Sequence, residues 1–182
     1  MRVPLDSLVR ETQKKELVAL LGLRGAGKST LGARLAEALK APVVELDKEV
    51  EKEAGTKLSE VFAMYGQDAF RRFERRALER VLREEAQAVI AVGGSLVTDP
   101  STYDLLLRSC RCIWLKASPE EHMSRVIAQG DMRPFKGRSA ALGEIKKLLA
   151  DRDALYARAG ATIDTSGKSL KQSLDHLKRA LT

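Results

Sequence analysis

The sequence predicts an α/β protein built on a five-stranded parallel sheet with helices covering both faces. Short apolar runs alternate with longer segments of helical periodicity along the chain. The first apolar run leads into a glycine-rich stretch that ends in Lys-Ser, where a phosphate-binding loop joins a strand to a helix. Strands that alternate with helices in this way pair in parallel and are covered on both faces by those helices.

Apolar periodicity defines the elements of the first half of the chain. Residues 28–40 place a leucine at every fourth position from Leu31, which gives the predicted helix one apolar stripe. Helices are also predicted over 57–64 and 67–85, the second with apolar side chains at steps of three and four. The short apolar runs of strand length are residues 17–21, 42–46 and 88–92.

Capping signals locate the elements of the second half. A capping box over 101–104 predicts the start of one helix, and Ser118-Pro119 with the two following glutamates predicts the start of another. Residues 130–140 lack apolar periodicity, so we expect a mobile lid there. The remaining predicted elements are strands at 111–115 and 161–164, a helix over about 142–158 and a helix from 169.

A chain of 182 residues suits one compact domain, which we expect to span 17–182. Residues 1–16 are polar and begin without a strand or core helix, so they resemble a linker. The longest apolar stretches are about seven residues, whereas a membrane span needs roughly 20. No apolar signal-peptide segment follows Met1. The sequence therefore predicts a cytoplasmic protein without membrane contact.

Charge and cysteine content exclude some kinds of site. The formal net charge of +7 suits small polyanions such as ATP or a coenzyme A thioester. No block of five Lys or Arg residues and no DNA-reading helix occurs in this sequence. Cys110 and Cys112 point to the same strand face and lack the further ligands of a metal site, so we interpret them as small apolar strand residues.

The segment GLRGAGKST matches the phosphate-loop pattern, in which Gly22 and Gly27 frame four residues before Lys28 and Ser29. Glycines let backbone N–H groups surround an anion, and the following helix adds the positive end of its dipole. A glycine-rich turn without a ligand is the alternative. The pattern predicts ATP and Mg²⁺ as cofactors, with phosphate contacts from Gly22, Gly25, Ala26, Gly27, Lys28, Ser29 and Thr30.

Further features follow the phosphate loop in a specific order. They are Glu45-Leu46-Asp47, Phe70-Arg71 with Glu74, Gly93-Gly94, Arg133-Pro134, and Arg152 with Tyr156. In order and spacing the chain resembles the shikimate kinase family from residue 17 to 180. The resemblance implies a P-loop small-molecule kinase fold that binds ATP and shikimate.

The resemblance implies roles for residues near the nucleotide. Lys28 and Ser29 would act on ATP and Mg²⁺, and Glu45 stands where the family has an aspartate near the metal. The end of the fifth predicted strand, Asp164 and Thr165, resembles the segment that contacts adenine.

The resemblance also implies roles on the acceptor side. Asp47 matches the carboxylate that bonds the substrate hydroxyls, and Arg133 matches the lid arginine that reaches the transferring phosphate. Arg71 and Arg152 match arginines that hold the substrate carboxylate, with Glu74 positioning Arg71. The turn that lies against the substrate ring is matched by Gly93 and Gly94.

Each acceptor residue has a structural alternative. Asp47 could cap the helix that follows it, and Arg71 lies in an arginine-rich helix whose other charges suit a solvated face. Arg152 could pair with Asp151 or Asp153 at the surface.

Three positions depart from the kinase pattern. Ser95 replaces the third glycine of the bend, which adds a Cβ at the edge of the acceptor pocket. Glu45 is one methylene longer than the aspartate expected beside Mg²⁺. Arg125 is only an approximate counterpart of the arginine that stacks on adenine in the family, about one residue out of register.

The stretch ASPEEHMSRVIAQGDMRP, with GLRGAGKSTLGARLA before it and IDTSGKS after it, is similar to a second group of proteins. These are benzoyl-coenzyme A-responsive regulators, which join a helix-turn-helix to a shikimate-kinase-like domain. This resemblance favours an effector-sensing domain that binds an aromatic acyl-CoA, with DNA reached only through a helix-turn-helix absent from this sequence.

Two hypotheses follow for the function. The first is the sensing domain of a transcriptional regulator of aromatic catabolism, which would bind benzoyl-CoA, ATP or both. The alternative is an active shikimate kinase that transfers the γ-phosphate of ATP to shikimate. The sequence leaves enzymatic activity uncertain, and it allows a homodimer because nothing in it defines the oligomeric state.

Overall fold

A computed structural model describes residues 16–128 and 138–182 of the chain. Most of the predicted lid, including Arg133, lies outside the described residues, as do residues 1–15 of the linker-like segment. Two of the differences from the predicted boundaries lie next to these segments. The first strand already begins at Glu16, and residues 138–140 of the predicted lid belong to a helix.

The described residues form five strands and seven α-helices, which confirms the predicted fold class. The strands are β1 (Glu16–Leu21), β2 (Val43–Glu45), β3 (Gln87–Ala91), β4 (Arg111–Lys116) and β5 (Ala161–Asp164). The helices are α1 (Lys28–Leu39), α2 (Leu46–Ala54), α3 (Leu58–Glu84), α4 (Pro100–Ser109), α5 (Pro119–Ala128), α6 (Arg138–Tyr156) and α7 (Leu170–Arg179).

All strand pairs in the sheet are parallel, and the order across it is β2-β3-β1-β4-β5. The central strand β1 therefore lies between β3 and β4. Because parallel strands end at the same edge, the segments after β1, β2 and β3 meet there. The phosphate loop, the carboxylates after β2 and the glycine bend after β3 are thereby brought together.

The sheet separates two layers of core. On β1, Leu17, Ala19 and Leu21 pack on one face against α3 and α4, whereas Val18 and Leu20 pack on the other face against α1 and α7. This division follows from the alternation of side chains along a strand. All five of these side chains are buried, which explains why residues 17–21 are uniformly apolar and do not alternate with polar residues.

Helix α3 bends at Gly66, whose φ of 75° and ψ of −176° are not helical. Glycine adopts this conformation without the steric penalty that a Cβ would add. The two arms correspond to the helices predicted at 57–64 and 67–85. The second arm is anchored to α2 because Arg80 donates to Glu53 Oε1 at 2.7 Å and to Glu49 Oε2 at 2.8 Å.

Helix α4 starts two residues earlier than predicted, because its N-cap is Asp99 and not Ser101. Pro100 occupies the first turn, where its missing N–H leaves no intrahelical bond unmade, so the helix begins before Ser101. Thr102 lies inside the helix, and its hydroxyl donates to Asp99 Oδ2 at 2.6 Å. By contrast, the predicted Ser118 cap is present, since the Glu121 N–H donates to Ser118 Oγ at 3.3 Å.

The cysteines have the apolar role predicted for them. Cys112 is buried in the core and Cys110 is partly buried, and both are free thiols. Burial raises the pKa of each thiol to about 12, so both stay protonated near neutral pH. None of the helices within residues 16–128 and 138–182 combines the length and apolar character needed to cross a membrane.

Replacing Leu35, which is 0% exposed between α1 and the sheet, tests the α1–α7 layer of the core. We expect Leu35→Ala to lower the free energy of unfolding by about 2–5 kcal/mol, because it leaves a cavity in packed surroundings. Urea denaturation at pH 7 measures the change. The matched control is Leu148→Ala on α6, which removes an exposed leucine and should cost less than about 1 kcal/mol. Equal losses in the two variants would contradict this packing.

Candidate active site

A cavity of about 600 Å³ opens at the edge of the sheet where β1, β2 and β3 end. One wall is the phosphate loop and the start of α1, and the other contains the residues after β2 and β3. The lining residues are Arg24, Gly25, Gly27, Lys28, Ser29, Thr30, Glu45, Asp47, Leu58, Ser59, Phe62, Ala91, Val92, Gly93 and Gly94. The fold thus joins most of the predicted phosphate loop to Asp47 and the glycine bend in one space. The predicted acceptor residues Arg71, Glu74 and Arg152 lie outside this lining.

The phosphate loop needs glycine at two points of close backbone approach. A Cβ on Gly22 would lie 2.6 Å from the carbonyl oxygen of Leu115, and a Cβ on Gly25 would lie 2.8 Å from that of His122. Gly25 and Gly27 also have positive φ, 78° and 92°. The buried Ala26 closes the turn by donating its N–H to the Leu23 carbonyl at 3.0 Å. These contacts give the loop the curled path that an anion-binding backbone requires.

Lys28 begins α1 and turns its side chain back over the loop. Its Nζ donates to the carbonyl oxygens of Gly22 at 2.7 Å and Leu23 at 3.1 Å. Burial lowers the pKa of Lys28 to about 8, although the charges of Asp47 and Glu45 oppose this shift. The ammonium group is therefore held at the cavity by backbone acceptors and is still mostly protonated at pH 7.

Asp47 and Glu45 approach the cavity from the junction of β2 and α2. Glu45 ends β2 and is the N-cap residue of α2, without a side-chain cap hydrogen bond. Asp47 lies in the first turn of α2, so the interpretation of Asp47 as the helix cap is wrong. Burial raises the pKa of the Asp47 carboxyl, which Lys28 opposes and Glu45 reinforces. A carboxylate of raised pKa accepts a proton more readily than an exposed aspartate.

The glycine bend after β3 makes room for two carboxylates. A Cβ on Gly93 would lie 2.9 Å from Asp47 Oδ1 and 3.6 Å from Glu74 Oε1. Both acids therefore lie against the same backbone atom, although they come from α2 and α3. Ser95, the departure from the third glycine, has φ of −97°, an ordinary value for a serine. Ser95 causes no backbone strain and is absent from the cavity lining.

Arg71 and Glu74 form a buried pair on α3. Arg71 Nη1 donates to Glu74 Oε2 at 2.5 Å, and its Nη2 donates to the carbonyl oxygen of Ser95 at 3.0 Å. Oε1 of Glu74 is buried without a hydrogen-bond partner among the described residues. Burial raises the pKa of Glu74 to about 7 despite Arg71, and the charge of Asp47 adds to the shift. Arg71 is therefore not part of a solvated face.

Arg152 and Tyr156 hold the other side of the bend. Both donate to the carbonyl oxygen of Gly94, Arg152 Nη1 at 3.0 Å and Tyr156 Oη at 2.6 Å. The alternative surface pairing of Arg152 is not observed, and Asp153 instead lies 3.8 Å from Lys116. Arg71 and Arg152 thus bond the carbonyls of consecutive residues, so the bend brings the two guanidinium groups toward one place.

A second cavity of about 400 Å³ adjoins the other side of the phosphate loop. Thr165 lines it together with Arg125, and the two side chains are 3.3 Å apart between Nη1 and Oγ1. Asp164 lies outside the lining of both cavities, and its contact with adenine stays a prediction. Its carboxylate accepts from the Ser166 N–H at 2.9 Å, and the residue lines another surface depression. Of the predicted adenine segment, only Thr165 reaches the cavity beside the loop.

Oxygen ligands are available for a cation bound together with phosphates. The Ser29 hydroxyl and the Glu45 carboxylate both line the larger cavity, and Mg²⁺ prefers such oxygen ligands. In the parts of the chain that the structure describes, no group of three or more His, Cys, Asp or Glu could hold a metal ion. This donor set fits Mg²⁺, which commonly uses one or two protein oxygens plus substrate phosphates.

The sequence did not indicate every residue around the loop. No catalytic or binding motif of the sequence includes His122, yet its ring contacts the Arg24 carbonyl. Tyr156 was noted by spacing alone, and its hydrogen bond to Gly94 spans 62 positions of sequence. No local pattern could have revealed these contacts, because each joins segments that only the folded sheet brings together.

Comparison with known proteins identifies relatives over most of the chain. The sequence model of the family described as "Shikimate kinase" matches residues 24–182. The shikimate kinase of Zymomonas mobilis is 36% identical over 164 residues, which cover 90% of this chain and 92% of that protein. The shikimate kinase of Francisella philomiragia is 31% identical over 165 residues, with 90% and 93% covered.

Solved structures give the same result for the fold. Shikimate kinase from Acinetobacter baumannii in complex with shikimate superposes with a TM-score of 0.81 at 25% identity, covering 94% of this chain and 96% of that one. Shikimate kinase from Bacteroides thetaiotaomicron gives a TM-score of 0.83 at 25% identity, with 91% and 98% covered.

These findings overturn the prediction of a sensing domain in a transcriptional regulator. The relatives that match 90% of the chain are described as shikimate kinases, and they support the alternative hypothesis. Benzoyl-CoA, DNA and a homodimer have no support from them. Part of the segment whose resemblance favoured sensing has another role, since residues 119–128 form a helix that packs on the phosphate loop.

The pKa of Lys28 makes anion binding depend on pH in a defined direction. A lysine of pKa about 8 is protonated below that value, so its attraction for phosphate is present below pH 8 and is lost above it. We expect the affinity for pyrophosphate, measured by calorimetry, to fall about tenfold between pH 7 and pH 9, as the protonated fraction of Lys28 does. Lys28→Met should bind more weakly and lack this decline. An equal decline in the variant would assign it to another group.

Proposed function

Since the chain belongs to the shikimate kinase family, we propose that it transfers the γ-phosphoryl group of ATP to a hydroxyl of shikimate. The observation that carries this proposal is the shared cavity of about 600 Å³. Within it Lys28 and Ser29 face Asp47 and the glycine bend. Phosphoryl transfer depends mainly on positioning and charge stabilisation, which this arrangement supports.

On the nucleotide side, the backbone N–H groups of the loop and the first turn of α1 would hold the phosphates. Lys28 would exchange its two carbonyl acceptors for phosphate oxygens, which carry full charge and make stronger hydrogen bonds. Ser29 and Glu45 would hold Mg²⁺, which neutralises charge on the phosphates when bound. The smaller cavity with Arg125 and Thr165 lies beside the same loop and would receive the nucleoside.

On the acceptor side, Arg71 and Arg152 would bind the carboxylate of shikimate. A guanidinium group has five N–H donors, so each arginine can keep its bond to the bend and still donate to a carboxylate. Glu74 supports the position of Arg71 through their ion pair. Gly93 and Gly94 would let the ring of the substrate lie against bare backbone.

Asp47 would orient the attacking hydroxyl and receive its proton. The hydroxyl oxygen bonds to the γ-phosphorus as the bond from that phosphorus to the β–γ bridging oxygen breaks. The proton passes to the Asp47 carboxylate, whose raised pKa suits it to accept one, and ADP leaves with the bridging oxygen. Arg133, which lies outside the described residues, would stabilise the transferring phosphate as its family counterpart is expected to do.

A coupled assay with ATP, Mg²⁺ and shikimate tests the function. We expect turnover of at least about 1 per second, the lower end of the usual kinase range. The assay measures ADP release and, separately, the appearance of phosphorylated shikimate. ADP release that does not require shikimate, or no release at all, would contradict the proposal.

Asp47→Asn tests the proton acceptor. The amide keeps the size of the side chain but cannot take the proton, so kcat should fall by about 10²- to 10⁴-fold while the KM for ATP changes little. Steady-state kinetics at saturating shikimate measures both. Asp175→Asn on α7 is the matched control, because Asp175 is outside the cavity lining and the variant should keep full activity. Unchanged kcat in Asp47→Asn would remove Asp47 from the mechanism.

Gly93→Ala tests the crowding at the bend. The added Cβ would lie 2.9 Å from Asp47 Oδ1, so the carboxylate must move and kcat should fall by about tenfold or more. Gly143→Ala is the control, since a Cβ there meets no atom within 4 Å and alanine favours a helix. Calorimetry with ADP should give similar affinities for both variants and the unaltered protein. Full activity in Gly93→Ala would show that Asp47 tolerates displacement.

A further inference from the structure

His122 is a buried side chain that contacts the phosphate loop from α5. The whole residue is 1% exposed, and the ring Nδ1 lies 2.9 Å from the carbonyl oxygen of Arg24. The backbone of the same residue is also close to the loop, since its carbonyl oxygen lies 2.8 Å from where a Cβ on Gly25 would be. Helix α5 therefore supports the peptide between Arg24 and Gly25 with both ring and backbone.

The contact determines which ring nitrogen carries the proton. A carbonyl oxygen only accepts hydrogen bonds, so Nδ1 must be the donor. Nε2 is buried without a hydrogen-bond partner among the described residues, which disfavours a second N–H there. Burial lowers the pKa of His122, and the charges of Arg125 and Lys28 lower it further. The hydrogen bond to Arg24 and the charge of Glu121 oppose this shift but do not reverse it. The ring is therefore neutral, with its proton on Nδ1.

This bond also determines how the loop presents its amide. In a planar trans peptide the C=O and N–H groups point in opposite directions. Because the Arg24 carbonyl points to His122, the Gly25 N–H points away from the ring. Gly25 lines both the larger and the smaller cavity. One turn along α5, Arg125 Nη1 reaches the next carbonyl, that of Gly25, at 3.3 Å.

We propose that His122 is a positioning residue for nucleotide binding, which directs the Gly25 N–H toward a phosphate of the nucleotide by holding the Arg24 carbonyl. Without the Nδ1 donor, this carbonyl would lose its hydrogen bond to α5, which opposes rotation of the peptide. A rotated peptide presents its oxygen, instead of its N–H, to the phosphate. The inference rests on the proposed function insofar as the ligand is a nucleotide.

The test compares two substitutions of similar size by their affinity for ADP. His122→Leu keeps an apolar side chain but removes the donor, and we expect the Kd for ADP to rise about tenfold, the effect typical of a buried acceptor that loses its partner. His122→Asn keeps an N–H at the position of Nδ1, so it should restore affinity to within about threefold of the unaltered protein. Calorimetry with ADP and Mg²⁺ at 15 °C measures both, with folding checked by circular dichroism.

Tyr103→Phe is the control for a merely structural effect. Tyr103 is 0% exposed, and its hydroxyl donates to the carbonyl oxygen of Leu155 at 2.8 Å, far from the phosphate loop in sequence. Loss of this hydroxyl removes a bond from a buried side chain to a backbone carbonyl, which is the same kind of bond that His122→Leu removes. We expect this variant to melt at a lower temperature than the unaltered protein but to bind ADP with unchanged affinity.

The ring proton gives a measurement that needs no variant of His122. Nitrogen-15 NMR of the unaltered protein should find one histidine with its proton on Nδ1 at pH 7 to 8, and His176→Gln identifies the other histidine. A His122 ring protonated on Nε2 alone, or equal ADP affinity in His122→Leu and the unaltered protein, would overturn the inference. ADP binding without transfer to shikimate would overturn only the proposed function, and no ADP binding would overturn both.

Discussion

The close approach of the phosphate loop to the backbone of β4 and α5 is the constraint on which the site depends. No side chain fits between Gly22 and the Leu115 carbonyl, or between Gly25 and the His122 carbonyl. At these separations the loop follows one path, because any Cβ would force the strand or the helix away. That path starts α1 at Lys28 and directs its ammonium group to the cavity. The remaining residues of the site are arranged around this point.

Burial around the cavity displaces the pKa values of Lys28 and Glu74. Lys28 is attracted to Asp47 and Glu45, yet its burial lowers its pKa to about 8. Glu74 is paired with Arg71, yet its burial raises its pKa to about 7. In both cases the loss of hydration exceeds the attraction of the partner. Lys28 lines the cavity and Glu74 lies against Gly93 of its lining. Perturbed groups at and beside one cavity are typical of sites that bind and transform charged ligands.

The wrong prediction of a sensing domain shows where comparison of short sequence segments is unreliable. The resemblance of residues 117–134 to sensing regulators favoured a sensing domain, but a resemblance of one segment does not describe the cavity. In the folded chain Ser95 has an unstrained backbone. Its carbonyl oxygen accepts a hydrogen bond from Arg71, and this bond does not depend on the residue type at position 95. Helix α5 supports the phosphate loop, a role that serves catalysis as well. The resemblance of one short segment is therefore a poor guide to activity.

The sequence alone determined the fold class, the phosphate loop and most strand positions, because apolar periodicity and glycine spacing are local properties of the chain. It placed the start of α4 too late, because a proline at the first turn starts the helix before Ser101. Only the tertiary structure decided that Arg71 and Arg152 meet at one bend and that His122 holds the loop. These contacts join distant segments through the order of strands in the sheet, which no local pattern specifies.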